Sequence, residues 1–107
     1  MKTLRPPLEK RVEADIIGAL RTLGFAVTKT SQPRPSMLTI GVPDLYAAHP
    51  RWGLRLWIEV KRPGGKPTAQ QVAWHRCERL AGGTVLVLDS VAAMLAELKR
   101  LGAPIDP

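Results

Sequence analysis

The run Thr84-Val-Leu-Val-Leu88 stands between Gly82-Gly83 and Ser90. So short and unbroken an apolar run reads as a strand covered on both faces, and strands of that kind belong to sheets with helices packed against them. With 107 residues in the chain, three or four strands and a few helices fit within one domain spanning residues 1–107, and two independent domains do not. Glycine and proline divide the remainder. Pro6-Pro7 precede apolar residues at Leu8, Val12, Ile16, Ile17, Leu20 and Leu23, so a helix is predicted from about 8 to 23, closed by Gly24. Strands are predicted over Phe25–Lys29, Val42–Ala48 and Leu54–Lys61, the last two joined as a hairpin by His49-Pro50-Arg51-Trp52-Gly53. Thr68-Ala-Gln-Gln71 has the form of a capping box opening a second helix, and a third starts near Ser90. The predicted order is α-β-β-β-α-β-α, an α/β fold.

Composition narrows the function classes. Sixteen Lys and Arg against nine Asp and Glu leave a formal net charge of +7, which points to a polyanionic partner, most often nucleic acid. Cys77 is the single cysteine; alone it can form neither an internal disulfide nor a Cys-rich zinc site, as expected in a reducing compartment. No stretch reaches the roughly 20 apolar residues of a membrane span, and the N-terminus lacks the pattern of a secretory signal. The cytoplasm, of a bacterium or a virus-infected cell, is the expected location.

Three places carry chemistry. On the first helix, at 100° per residue, Glu9 and Glu13 fall inside the apolar arc whereas Lys10, Arg11, Asp15 and Arg21 fall outside. A carboxylate aimed at a core costs several kcal/mol unless a positive or hydrogen-bonding group meets it; the bland alternative is a frayed helix start with both glutamates complementing its dipole. In Leu56-Trp-Ile-Glu-Val-Lys61, alternation puts Trp57, Glu59 and Lys61 on one face, with Glu59 and Lys61 roughly 7 Å apart along the strand. Gly41-Val-Pro-Asp44 brings a third acid into a strand, and across the hairpin Asp44 reaches the same end of the sheet as Glu59. Converging carboxylates repel unless a divalent cation lies between them, and hard oxygen ligands suit magnesium or manganese. A protonated lysine beside them orients a metal-activated water or stabilises phosphate charge.

These residues resemble the PD-(D/E)xK nuclease superfamily, and more narrowly the VRR-NUC domain, the virus-type replication-repair nuclease. The resemblance rests on Glu9-Lys-Arg-Val-Glu13, Gly41-x-Pro-Asp44, Glu59-x-Lys61-x-Pro-Gly and Thr68-x-x-Gln71-x-x-Trp74, and runs from about residue 8 to 90. It implies a restriction-endonuclease-like αβββαβ core, a central mixed sheet flanked by helices, with a C-terminal helix. It also implies Mg2+- or Mn2+-dependent hydrolysis of DNA phosphodiesters, with the ion held by Asp44, Glu59 and the Val60 carbonyl, joined by the first-helix glutamate. Lys61 then positions the nucleophilic water and Gln71 lies near the metal and the lysine. The helix glutamate registers as Glu9 or Glu13, the spacing to Gly24 favouring Glu13; of Gln70 and Gln71, the distance to Trp74 favours Gln71. Stand-alone members resemble Holliday-junction-resolving enzymes, which implies a homodimer acting on branched DNA. A non-catalytic DNA-binding module on this fold would lack a carboxylate or the lysine, and none is missing; a restriction-type or flap nuclease subunit would share the same chemistry.

Basic residues flank the proposed site. Arg34, Arg62 and Lys66 are the expected phosphate contacts, with Arg51 and Arg55 open between DNA contact and plain solvated surface. Gly64 and Gly65 would let a loop backbone approach a phosphate, or form a tight turn. Val72, Ala73, Trp74, Cys77 and Leu80 form the expected inward side of the second helix; His75, one turn after Gln71, could face the site but is expected on the surface. His49 is expected to be structural; Trp52 and Trp57 offer apolar surface to a dimer, with core packing an equal reading for Trp57, and Trp74 is expected in the core.

Overall fold

The computed structural model describes residues 8–30 and 40–105; Arg34 lies outside them. The elements are α1 (Leu8–Thr22), β1 (Ala26–Lys29), β2 (Leu45–His49), β3 (Leu54–Val60), α2 (Ala69–Leu80), β4 (Val85–Leu88) and α3 (Val91–Arg100). The strands form one sheet in the order β1-β2-β3-β4, antiparallel at the first two pairings and parallel at the third. This mixed sheet has the α/β order expected from the sequence. Helix α2 makes the crossover that a parallel neighbour requires.

One face of the sheet carries the hydrophobic core. Alternation turns Leu45 and Ala47 of β2 and Leu56, Ile58 and Val60 of β3 to that face, where α1 supplies Ile16 and Leu20 and α3 supplies Met94 and Leu98. In α1 the buried positions Val12, Ile16 and Leu20 recur every fourth residue, the spacing that places side chains in one stripe. Ser90 caps α3 by accepting the Ala93 N–H at 3.0 Å. No helix among the described residues is long and apolar enough to cross a membrane.

Strand β2 starts at Leu45 rather than at Val42. Pro43 has no N–H to give a ladder, and at the next position the Asp44 side chain, rather than a neighbouring backbone carbonyl, accepts the Val60 N–H. The apolar run of β4 is not covered on both faces throughout: Val85, Leu86 and Leu88 are buried but Val87 is 39% exposed. The strand is the sheet's edge, and the covering on the α2 side stops short of Val87.

The orientation of α2 reverses the expected one. His75, expected on the surface, is buried, whereas Val72, Ala73, Cys77 and Leu80 face outward, Leu80 with 79% exposure. The cause is the surface on which α2 sits. That surface presents the Trp57 indole and the Glu59 carboxyl, so the helix turns its hydrogen-bonding side chains inward: Gln71 donates to Glu59, and Glu78 accepts from Trp57 Nε1 at 3.1 Å. Trp74 packs edge-on against Trp57, which also contacts the Tyr46 ring. At the hairpin end His49 is buried, stacked on Trp52 and in contact with the Leu23 carbonyl through Nε2 at 2.9 Å.

Candidate active site

The β2–β3 register decides which side chains meet. Leu45 lies opposite Ile58, so one step further along the antiparallel ladder Asp44 comes opposite Glu59. Asp44 Oδ2 accepts the Val60 N–H at 2.8 Å, and the Asp44 carboxyl lies close enough to Glu59 to raise the Glu59 pKa. In an extended strand the N–H and C=O of one residue point to the same side, so the Val60 carbonyl projects from the edge where Asp44 lies. Lys61 Nζ stands 3.4 Å from Glu59 Oε2 and 3.9 Å from Glu9 Oε1. The structure therefore brings together Asp44, Glu59, Val60, Lys61, Gln71 and Glu9. Glu13 is engaged elsewhere, with its Oε1 3.0 Å from Lys29 Nζ.

Glu59 is the electrostatic centre. Its side chain is 1% exposed, and burial, reinforced by the neighbouring Asp44 charge and hydrogen bond, pushes its carboxyl up to about 8 against an opposing pull from Lys61. A carboxyl so raised keeps its proton at neutral pH unless a positive charge replaces it. Gln71 Nε2 donates to Glu59 Oε2 at 2.9 Å, but Oε1 is buried with no hydrogen-bond partner. An unpartnered buried carboxyl oxygen, a second carboxylate and a backbone carbonyl fit a hard divalent cation. Among the described residues no three His, Cys, Asp or Glu side chains form a closed cage. Such a two-carboxylate site suits an ion that keeps several water or phosphate oxygens, as magnesium does.

Two glycines hold the surrounding loops in place. Gly41 has φ +87°, and a Cβ there would come 2.5 Å from the Gln70 carbonyl oxygen; the loop entering β2 thus packs backbone to backbone on the first turn of α2. In Arg62-Pro63-Gly64-Gly65 the Gly65 N–H donates to the Arg62 carbonyl at 2.8 Å and Gly64 has φ +81°. Proline followed by a positive-φ glycine makes this a type II turn. The turn leaves Arg62, Gly64 and Lys66 exposed directly after Lys61.

At the N-terminus of α2 the capping box is complete: Thr68 Oγ1 accepts the Gln71 N–H, and Gln71 Oε1 accepts the Thr68 N–H at 2.8 Å. With its oxygen so committed, the Gln71 amide presents its NH2 group to Glu59. His75, expected on the surface although its place one turn after Gln71 allowed it to face the site, has Nε2 3.6 Å from Glu59 Oε1. Burial, with the positive charges of Arg79 and Lys61, lowers the His75 pKa, so the imidazole is neutral at physiological pH. A separate hollow of about 540 Å³ lies further down the same sheet face, lined by Tyr46, Arg55, Trp57 and Glu78. It is displaced from the carboxylates, which carry the stronger chemical signal.

Comparison with known proteins gives the family. No protein-family model matches the chain. The chain is 34% identical over 82 residues to "Putative nuclease p44" of Acyrthosiphon pisum secondary endosymbiont phage 1, covering 77% of this chain and 83% of that protein. A solved structure described as a VRR_NUC domain is similar at a TM-score of 0.72 and 30% identity, over 89% of this chain and 97% of the other. The chain belongs to the VRR-NUC nuclease family.

Proposed function

We propose that the protein is a Mg2+- or Mn2+-dependent endonuclease that hydrolyses phosphodiester bonds in branched DNA as a homodimer. The observation that carries this reading is the meeting of Asp44 and Glu59 beside Lys61, with a buried Glu59 oxygen unpartnered. A phosphodiester is anionic and resists attack, so its hydrolysis needs neutralised phosphate charge and a nucleophile with hydroxide character. The ion, when bound, supplies both by polarising a phosphate oxygen and acidifying a water.

The residues of the chain have separate tasks in this reading. Asp44, Glu59 and the Val60 carbonyl hold the ion. Lys61, its ammonium fixed between Glu59 and Glu9, orients the attacking water and offers positive charge to the phosphate. Gln71 fixes one oxygen of Glu59. The first-helix acid is Glu9, the one that reaches Lys61, while Glu13 steadies Lys29. Arg62, Lys66 and the backbone of the Gly64-Gly65 turn dock the sugar-phosphate chain next to the scissile bond, with Arg34 as a further phosphate contact. The homodimer and the preference for branched DNA follow from the family resemblance: two strands of a junction are cut by two copies of one site.

The test is nicking of labelled four-way junction, flap and linear duplex DNA with magnesium, manganese or chelator. Metal-dependent nicking with preference for the junction, lost in Asp44→Asn and Lys61→Ala, is expected. Full activity in those variants would overturn the site assignment, and equal rates on all three substrates would overturn the preference for branched DNA.

A further inference from the structure

Helix α2 offers Glu59 two side chains rather than one. Gln71 and His75 are four residues apart, hence on one face of the helix, and each addresses a different oxygen of the same carboxyl. Gln71 Nε2 donates to Oε2 at 2.9 Å, and His75 Nε2 stands 3.6 Å from Oε1. Both His75 Nε2 and Glu59 Oε1 are buried and neither has another hydrogen-bond partner. Buried polar atoms are nearly always paired, and an orphaned pair facing each other calls for a reason. Burial alone does not supply one. The helix carries Val72 and Leu80 on its exposed side, so apolar groups were available for packing.

We propose that His75 is a positioning residue for Glu59: its Nε2–H closes the 3.6 Å gap to engage one lone pair of Oε1, as Gln71 engages Oε2, and leaves the other lone pair of Oε1 to the ion. This rests on the reading of Glu59 as a metal ligand. A ligand carboxylate free to rotate loses both affinity and geometry, and groups that orient ligands from behind change metal affinity by about 10- to 100-fold. The mechanism requires that the ring carry its proton on Nε2 when Glu59 is an ionised ligand, because the other neutral tautomer presents a lone pair to the carboxylate and would repel it.

Two measurements on the intact chain test the inference. The first is Mn2+ affinity by titration calorimetry, with single-turnover nicking in parallel, for wild type, His75→Leu and His75→Gln; the Gln amide nitrogen reaches the position of Nε2. His75→Leu should weaken Mn2+ binding about 10- to 100-fold and slow the nicking step, with the DNA concentration for half-saturation unchanged, and His75→Gln should restore most of both. Wild-type Mn2+ affinity in His75→Leu, or equal defects in both variants, overturns the inference.

The second measurement needs no variant to fold. Nitrogen-15 NMR of the wild-type histidine ring at saturating Mg2+ should show the Nε2–H tautomer; a ring protonated only on Nδ1 under those conditions overturns the inference. Absence of Mn2+ binding by the wild type would instead overturn the metal reading on which the inference rests.

Discussion

The two faces of the sheet are built on opposite rules. On the α1–α3 face, Ile16, Leu20, Leu56, Ile58, Met94 and Leu98 are essentially without exposure, and the core they form is apolar, with buried His49 at its hairpin end. On the α2 face, Glu59, Gln71 and His75 meet through polar atoms, the Trp57 indole donates to Glu78, and the helix leaves Val72 and Leu80 in solvent. Burial of apolar surface stabilises the first face, at about 25 cal/mol per Å². The second holds a carboxyl whose charged form burial opposes. A chain this small thus places most of its apolar core on one side of the sheet, and the other side keeps the desolvated acids proposed to hold a cation.

Paired substitutions separate the two faces most strongly. Asp44→Asn or Lys61→Ala should lower the nicking rate by about 10²- to 10³-fold, the scale of losing charge stabilisation in the transition state, while the thermal midpoint moves little. Ile16→Ala or Leu56→Ala should do the reverse, costing about 2–5 kcal/mol of unfolding free energy with activity per folded molecule retained. Denaturant melts and single-turnover assays on the four variants check both halves. Equal loss of stability in the two sets would erase the distinction.

The pH dependence of the metal-free protein sharpens it. The folded Glu59 carboxyl titrates at about 8 rather than 4.5, so between those values the folded chain binds a proton that the unfolded chain has released. Raising the pH through this window therefore favours unfolding. Stability should decline by a few kcal/mol from about pH 4.5 to 8, and Glu59→Gln should remove that component. Mg2+ or Mn2+ should flatten it by replacing the proton. Urea melts across the window supply the measurement, and a contribution from Glu59 that rises with pH would contradict the account.

Smaller effects probe the rim. Lys66→Ala should weaken binding of all DNA sequences alike and reduce the slope of log affinity against log salt by about one, as loss of one phosphate contact does; fluorescence anisotropy at several salt concentrations is the check. Leu80→Ser should change unfolding free energy by no more than about 0.5 kcal/mol, as exposed positions do, despite replacing a leucine. A large loss in the isolated chain would mean that the outward stripe of α2 is buried against something.

Much of the fold was legible because its signals are local. Capping residues, the glycine after α1, and the alternation of β2 and β3 each act through near neighbours, and the order of elements followed from them. The pairing of Asp44 with Glu59 was legible too, since a short hairpin leaves little freedom of register. The orientation of α2 was not. Counting Val72, Cys77 and Leu80 as an inward side assumes an apolar surface beneath, and the surface beneath is set by Trp57 and Glu59 on another element. His75 was misread for the same reason. Between Glu9 and Glu13 the helical period does not choose, because the choice depends on where Lys29 and Lys61 reach in three dimensions.

The most direct test of the central claim is calorimetric titration of Mn2+ into the wild-type protein at pH 7, repeated in buffers of different ionisation enthalpy. With Glu59 protonated in the free protein, the account predicts saturable binding with release of close to one proton per ion, lost in Asp44→Asn and Glu59→Gln. Binding that survives both substitutions, or no binding by the wild type, would contradict it.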